Sequence, residues 1–396
     1  MKDARAKALA YLERIQKGTY ESLRLQRPWL LPDYETRFDD LVRKIYDTRV
    51  AAGNDEVSFE AFQRQARLEA LGSPDLIPSA WQHPSSYLLM SRMVKEIEDA
   101  LDRWGVKPEL LPVFGSLPTG RVNGVTLAVP GTRAAIVLLE DGLFGFANLA
   151  AKAIVRVFPL ESDDGERVRF SMATTDWQQQ LASTPEIVER FSDVLFAYIL
   201  GGHPHKARPY LPDPGYDEPS TLLRESMELF VMGHEYAHFL CGHVHAPSVG
   251  RTKLGDLDVE EIRTNFRREL EADVRGLDIM LDVMGARGVD LSLSLWGADF
   301  FFECIDFIQR AVRLVATGKA SVPASTTHPP PALRRKFLHD VLRHNLSDEH
   351  VAGAFEVCGT LHAIFEALWV ICEPALALAH REGLRPASTW KATSNV

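Results

Sequence analysis

The sequence predicts an α+β protein that is predominantly helical, and three observations predict it. Long stretches at both ends carry apolar residues at helical spacing. Two short runs, Gly124-Val-Thr-Leu-Ala-Val129 and Ala134-Ala-Ile-Val-Leu-Leu139, read as strands joined by Pro130-Gly-Thr. Two histidines four residues apart, His234 and His238, sit late in an apolar stretch beginning at Leu229, which reads as helix.

Taken in order, residues 1 to about 106 read as a helical N-terminal module that packs on, or regulates, the rest. Arg5–Gln16, Tyr34–Ala51, Ser58–Leu71 and Tyr87–Trp104 all place apolar residues on one helical face. Pro and Gly clusters (Arg27-Pro-Trp-Leu-Leu-Pro32; Leu71-Gly-Ser-Pro74) punctuate them. The character changes near Pro108, and Pro112 to Gly120 reads as turn-rich. After the two strands, Leu143–Arg156 reads as helix, 158–185 as mixed with a polar loop at Glu161–Glu166, and Ile187–Leu200 as helix. Gly201 to Pro219 is a proline-rich loop leading into the histidine helix. That helix is expected from near Asp217, a plausible N-cap, to Gly242, a plausible C-terminal cap. Val259–Asp282, Phe300–Thr317 and Val351–Ala379 are the remaining expected helices, and the tail 381–396 is expected to be mobile.

The whole-chain numbers narrow the function. A length of 396 residues allows a sizeable core and two domains, or one with large insertions. Hydrophobic residues at 46% and charged residues at 25% describe an ordinary globular protein. A formal net charge of −10 argues against nucleic acid as a partner and gives no support for docking on anionic membranes. No membrane span is expected: Glu140, Asp141 and Lys152 break the apolar run 134–157, and Glu356, His362, Glu366 and Glu373 break 355–379. The N-terminus lacks the apolar core of a signal peptide. Cys241, Cys304, Cys358 and Cys372 form no C-x-x-C pair and read as reduced thiols of a cytoplasmic protein.

The chemistry is concentrated in His234-Glu235-Tyr236-Ala237-His238, an H-E-x-x-H motif. On a helix the two imidazoles share a face and can reach one ion, with Glu235 close enough to polarise a bound water. Two nitrogen ligands, a general base and an open position are what a zinc hydrolase needs, so Zn2+ is the expected cofactor. A third protein ligand has three candidate sources. Glu269, with Asp273 four residues on, presents one helical face; Glu271 points about 200° away from Glu269 at roughly 100° per residue. Asp273 is then placed to orient a ligand histidine through its distal nitrogen. His243 and His245 miss the register of the H-E-x-x-H-x-x-G-x-x-H pattern, which asks for a histidine where Val244 stands. Cys241 lies about 10 Å along the helix from His234, too far to share its ion.

With both helices in hand, the chain resembles a gluzincin, in particular the family of the HtpX-type and CAAX-prenyl proteases with its soluble relatives. That family carries Glu-x-x-Ala-Asp on its second helix, as in Glu269-Leu-Glu-Ala-Asp273, and often a histidine five residues after the motif, where His243 stands. It also has a downstream Thr-His-Pro-Pro and arginine, matched by Thr327-His-Pro-Pro-Pro-Ala-Leu-Arg334, and an Asn-Ala segment resembled by Val122-Asn-Gly124. The resemblance covers about residues 110 to 345, discontinuously. It implies a zincin-type catalytic domain over 107–380, with a small antiparallel or mixed sheet beside the motif helix. The stretch from about 147 to 218 is then an insertion, a lid or specificity element. It also implies metal ligands His234, His238 and Glu269, general base Glu235, and His328 as oxyanion donor, with Arg334 orienting it or its loop. Tyr210 and Tyr216 are alternative donors. The strand 124–128 could pair with an extended peptide. Departures are the absence of expected spanning helices and the long link before the motif.

The leading expectation is a soluble zinc endopeptidase acting on a restricted protein or peptide substrate, regulatory or related to stress or defence. Its rivals are a zinc hydrolase of a non-peptide amide or ester, and an inactive scaffold with a structural metal. Other conspicuous residues read as bland. Phe300–Cys304 is expected to be core, His203 and His205 a solvated loop rather than a second metal site, and Arg263, Arg267 and Arg268 a solvated face.

Overall fold

A computed structural model of the chain describes residues 2–51, 57–71, 77–163, 167–245, 249–254, 257–262, 266–322 and 329–387. The chain is mostly helical with a small mixed sheet, as its periodicity predicts. In chain order come α1 (Lys2–Leu23), α2 (Tyr34–Ala51), α3 (Phe59–Leu71), α4 (Pro84–Arg103), β1 (Val113–Leu117), β2 (Gly124–Ala128), β3 (Ala135–Glu140) and α5 (Asp141–Val155). A β4/β5 hairpin (Leu160–Asp163, Arg167–Phe170) precedes α6 (Thr174–Ser183), α7 (Pro185–Ile199) and the 27-residue α8 (Pro214–Leu240). Then follow β6 (Val249–Leu254), β7 (Leu257–Ile262), α9 (Phe266–Ala286), α10 (Leu291–Thr317), α11 (Pro331–Asn345) and α12 (Asp348–Arg381). Two compact units result. One comprises residues 1–118, 125–141 and 244–262; the other 119–124, 142–243 and 263–396. The expected boundary near residue 107 does not coincide with this division, because the N-terminal helices share a unit with the sheet.

In the first unit the strand order is β1-β3-β2-β7-β6, with β1 parallel to β3 and β7 antiparallel to both β2 and β6. One face of α1 (Ala8, Tyr11, Leu12, Ile15) packs in one core with Val113, Leu117, Leu127, Ile136 and Leu138. These α1 residues recur at i, i+3, i+4 and i+7, so the helix buries a single stripe. The edge strand β1 is closed by a side chain: Gln82 Oε1 accepts from the Ser116 N–H (2.9 Å) and from Gln16 Nε2 (2.6 Å). A bonded edge is no longer a template for stray pairing.

Two expectations are corrected here. The segment around 113–117 is a strand, not turn; Gly115 masks its pattern, yet a Cβ there would lie 2.8 Å from Gln82 Oε1. The helix expected from Val259 starts at Phe266 instead, because residues 257–262 pair with 249–254 with Leu254 opposite Leu257. The helix α12 is long and apolar enough to cross a membrane by length and composition, and 39% of that stretch is buried within the protein.

The second unit is built on α8 and α10. Gly297 of α10 lets that helix lie against α8, since a Cβ would fall 2.3 Å from Ser226 Cβ. Phe191 of α7, Phe307 of α10 and Phe365 and Trp369 of α12 join edge to face at 5.1–6.2 Å. Such pairs add to the area they bury. Within this apolar packing α8 also buries Glu228, neither of whose carboxylate oxygens has a hydrogen-bond partner; Arg224 Nε stands 3.8 Å away.

Burial raises the Glu228 pKa from its ordinary 4.5 to about 7, with Arg224 opposing only in part. Folded Glu228 therefore keeps a proton that the unfolded chain loses above pH 4.5, so stability falls as pH rises towards 7. Glu228→Gln removes that loss. The variant is expected to match the wild type near pH 4.5 and to gain about 1–3 kcal/mol by pH 8, read from denaturant midpoints. An equal difference at both pH values would contradict the assignment.

Candidate metal centre

The centre is made where α8 and α9 cross. Gly233 and Gly276 face each other there: a Cβ on Gly276 would sit 2.7 Å from the His234 nitrogen, and one on Gly233 3.1 Å from the Gly276 carbonyl. The close approach lets side chains of moderate length from both helices meet. His234 and His238 lie one turn apart on α8, Glu269 and Asp273 one turn apart on α9, and all four are buried.

The donor atoms converge. His234 Nε2 and His238 Nε2 are 3.2 Å apart, and Glu269 reaches them at 3.7 and 3.6 Å. Each imidazole is held at its other nitrogen. His234 Nδ1 donates to Asp273 Oδ1 at 2.9 Å. His238 Nδ1 meets His243 Nδ1 at 2.9 Å, and His243 Nε2 lies 3.4 Å from Glu271 Oε2. Protons held on the outer nitrogens leave the Nε2 lone pairs facing each other and a carboxylate. Only a proton or a cation between them relieves that repulsion.

Charge follows the same logic. Burial opposes a charged His234, but the hydrogen bond and charge of Asp273 outweigh it and raise its pKa. Burial and the two neighbouring imidazoles hold the His238 pKa well below the ordinary value, as a neutral ligand requires. Burial also opposes an ionised Asp273, yet Arg334 holds its pKa at about 2. Arg334 grips that carboxylate with two bonds, Nε to Oδ2 at 2.7 Å and Nη2 to Oδ1 at 2.5 Å. Its guanidinium lies over the Phe302 ring, 5.0 Å from the centroid. Glu235 is 7% exposed, and its charge is among those acting on Arg334. Three buried carboxylates (Glu235, Glu269, Asp273) thus face one guanidinium, an excess that a dication offsets.

The structure brings together His234, Glu235, His238, Glu269, Asp273 and Arg334. Arg334 bonds Asp273; the expectation that it orients His328 or its loop falls on His328, which lies outside the described residues. Tyr216 is committed to the Phe158 carbonyl (3.1 Å), and Tyr210 stacks under Arg190. His203 is half-buried and His205 exposed, in the loop expected for them; their ring centroids lie 4.6 Å apart, and burial lowers the His203 pKa to about 4. His243, which misses the register for a third ligand, and Glu271, expected to point away from Glu269, stand behind His238 and outside the ligand group. A histidine five residues after the motif was the available signal. Cys241 groups with His243 and Glu271 beside the centre rather than in it.

No family model matches the chain, and neither does any curated protein or solved structure.

Two outcomes follow from the geometry. His243→Ala should weaken binding of titrated zinc by about 10–100-fold with little change in fold, since such outer partners orient ligands; unchanged affinity in a chelator competition would show that His243 only packs. Gly276→Ala should force α8 and α9 apart at His234, costing about 1–3 kcal/mol and lowering zinc occupancy. Full occupancy with an unshifted melting temperature would remove the crossing from the account.

Proposed function

We propose that this chain is a zinc-dependent endopeptidase of the gluzincin type, a zincin-fold relative of the HtpX-type and CAAX-prenyl proteases. The convergence of His234 Nε2, His238 Nε2 and the Glu269 carboxylate, with Glu235 between the two histidines, carries this reading. Two imidazoles and a carboxylate suit zinc by type, and their buried excess of carboxylates fits a dication. When bound, zinc supplies Lewis-acid polarisation of a carbonyl and acidification of water.

The chain's own residues supply the rest. Asp273 and His243 fix the two imidazoles so that Nε2 of each points inward. Arg334 keeps Asp273 ionised and so keeps the His234 tautomer. Glu235 takes the proton of the attacking water on a carboxylate oxygen and delivers it to the departing amine. A protein or peptide substrate is the reading that the motif favours. A reducing, cytoplasmic setting is supported by four cysteines that are all unpaired.

Elemental analysis of purified protein and its His234→Ala variant tests the site; the variant is expected to hold about one zinc per chain fewer than the wild type. Glu235→Gln should keep the zinc and lose roughly 10²–10⁴-fold in cleavage of an unfolded casein substrate or peptide library. No metal after zinc is supplied would end the hydrolase reading. Bound zinc with activity indifferent to Glu235→Gln would leave a metal-bearing scaffold.

A further inference from the structure

A second group of donors lies away from this centre, where α10, α11 and α12 pack against one another. Asp299 comes from α10, His339 from α11 and Cys358 from α12. His339 Nε2 is 2.9 and 3.1 Å from the two Asp299 oxygens, and the Cys358 thiol hydrogen-bonds the same carboxylate. One donor atom from each residue lies within 4.8 Å of the others. The next turn repeats the arrangement. Glu303, four residues after Asp299, meets Arg335, four before His339, and accepts from His362, four after Cys358, at 2.9 Å.

The two rungs differ in their chemistry. The Glu303 rung pairs a carboxylate with a guanidinium and an imidazole and is closed by charge. The Asp299 rung offers three different donors, oxygen, nitrogen and sulfur, from three helices. Asp299 and Cys358 are each about 2% exposed, whereas the His339 side chain is 15% exposed and opens the group to solvent on one side. Phe355, three residues before Cys358, packs against the His339 ring, with centroids 4.8 Å apart and planes tilted by 37°. A cysteine–histidine–aspartate trio also invites comparison with a nucleophilic site. That needs a thiol a substrate can reach, and Cys358 is sealed.

We infer that Asp299, His339 and Cys358 form a second metal site, for a single thiophilic divalent cation such as zinc, distinct from the His234–His238–Glu269 centre. Mixed sulfur, nitrogen and oxygen donation suits zinc, with the fourth position open on the His339 side. Binding displaces the Cys358 thiol proton and the proton lying between His339 Nε2 and Asp299. The thiol proton leaves to solvent, and the single imidazole proton moves from His339 Nε2 to Nδ1, which frees Nε2 as a ligand. The site links three helices, so a bound cation fastens α11 to the α10/α12 pair. It stands whether or not the first centre is catalytic.

Cobalt(II) tests it, because a thiolate-to-cobalt charge-transfer band reports sulfur ligation and no cysteine belongs to the first centre. Chelator-treated full-length protein titrated with cobalt(II) should develop that near-ultraviolet band together with intense tetrahedral visible absorption. Cys358→Ser should abolish the band, Cys241→Ser should leave it intact, and His234→Ala should remove only the cobalt held without sulfur. His339→Ala should weaken the band-forming affinity at least tenfold. The wild-type spectrum needs no variant to fold. Absence of a thiolate band there, or its loss in Cys241→Ser with retention in Cys358→Ser, overturns the assignment. Neither result would bear on zinc at His234.

Discussion

The crossing of α8 and α9 is the constraint on which the first centre depends. Packed helices ordinarily keep their axes 8–10 Å apart, a separation set by the side chains between them. Here Gly233 and Gly276 remove those side chains where the ligands must meet. Gly276 is no isolated convenience. Glu269, Asp273 and Gly276 fall at i, i+4 and i+7 on α9, so one stripe supplies a donor, an orienting carboxylate and the gap that admits α8. His234 follows Gly233 directly, and its backbone lies where a Gly276 side chain would go. Ligand placement and helix packing are therefore one geometric fact.

That closeness concentrates charge in a dry place, and the surrounding residues manage it. Asp273 accepts most strongly from His234 while ionised, and burial alone would raise its pKa. Arg334 reverses the sign of that shift. The guanidinium is itself buried and rests on the Phe302 face, which suits a delocalised cation better than an ammonium. A chain of dependence runs from α10 through Arg334 and Asp273 to the tautomer of His234. The second imidazole is set independently, through His243 and Glu271, so the two ligands do not rely on one support.

What the sequence revealed and what it hid divide along physical lines. Residues that act within a helix were found, because four-residue spacing places His234 with His238 and Glu269 with Asp273 whatever the tertiary fold. The position of His243 behind His238 is not legible from helical spacing, because the helix has ended before it. The helix α8 ends at Leu240, Gly242 turns the chain at φ +72°, and a short 3-10 turn swings His243 back against His238. The helix expected from Val259 includes residues that pair as strand, and Gly255-Asp256 is a two-residue hairpin signal that outranks periodicity there. The strand β1 was hidden by Gly115, whose missing side chain makes room for Gln82 and Leu12.

The helix α11 explains a different kind of omission. Its central turns bury only Leu338 and Leu342 as apolar anchors, so a search for an apolar stripe passes over it. Its start is marked instead by proline at the first helical position. What docks it is polar pairing: Arg334 with Asp273, Arg335 with Glu303, and His339 with Asp299. All three acceptors are buried, and removing a partner from a buried pair costs about 3–5 kcal/mol, more than a surface ion pair ever contributes. Apolar contacts tolerate a helix sliding by part of a turn; three directional pairs to two different helices do not. Register on α11 is thus specified by these pairs, and that register sends Arg334 towards α9 and its neighbour Arg335 towards α10. One helix with little hydrophobic grip thereby fixes the orientation of the His234 ligand and completes the Asp299 cluster.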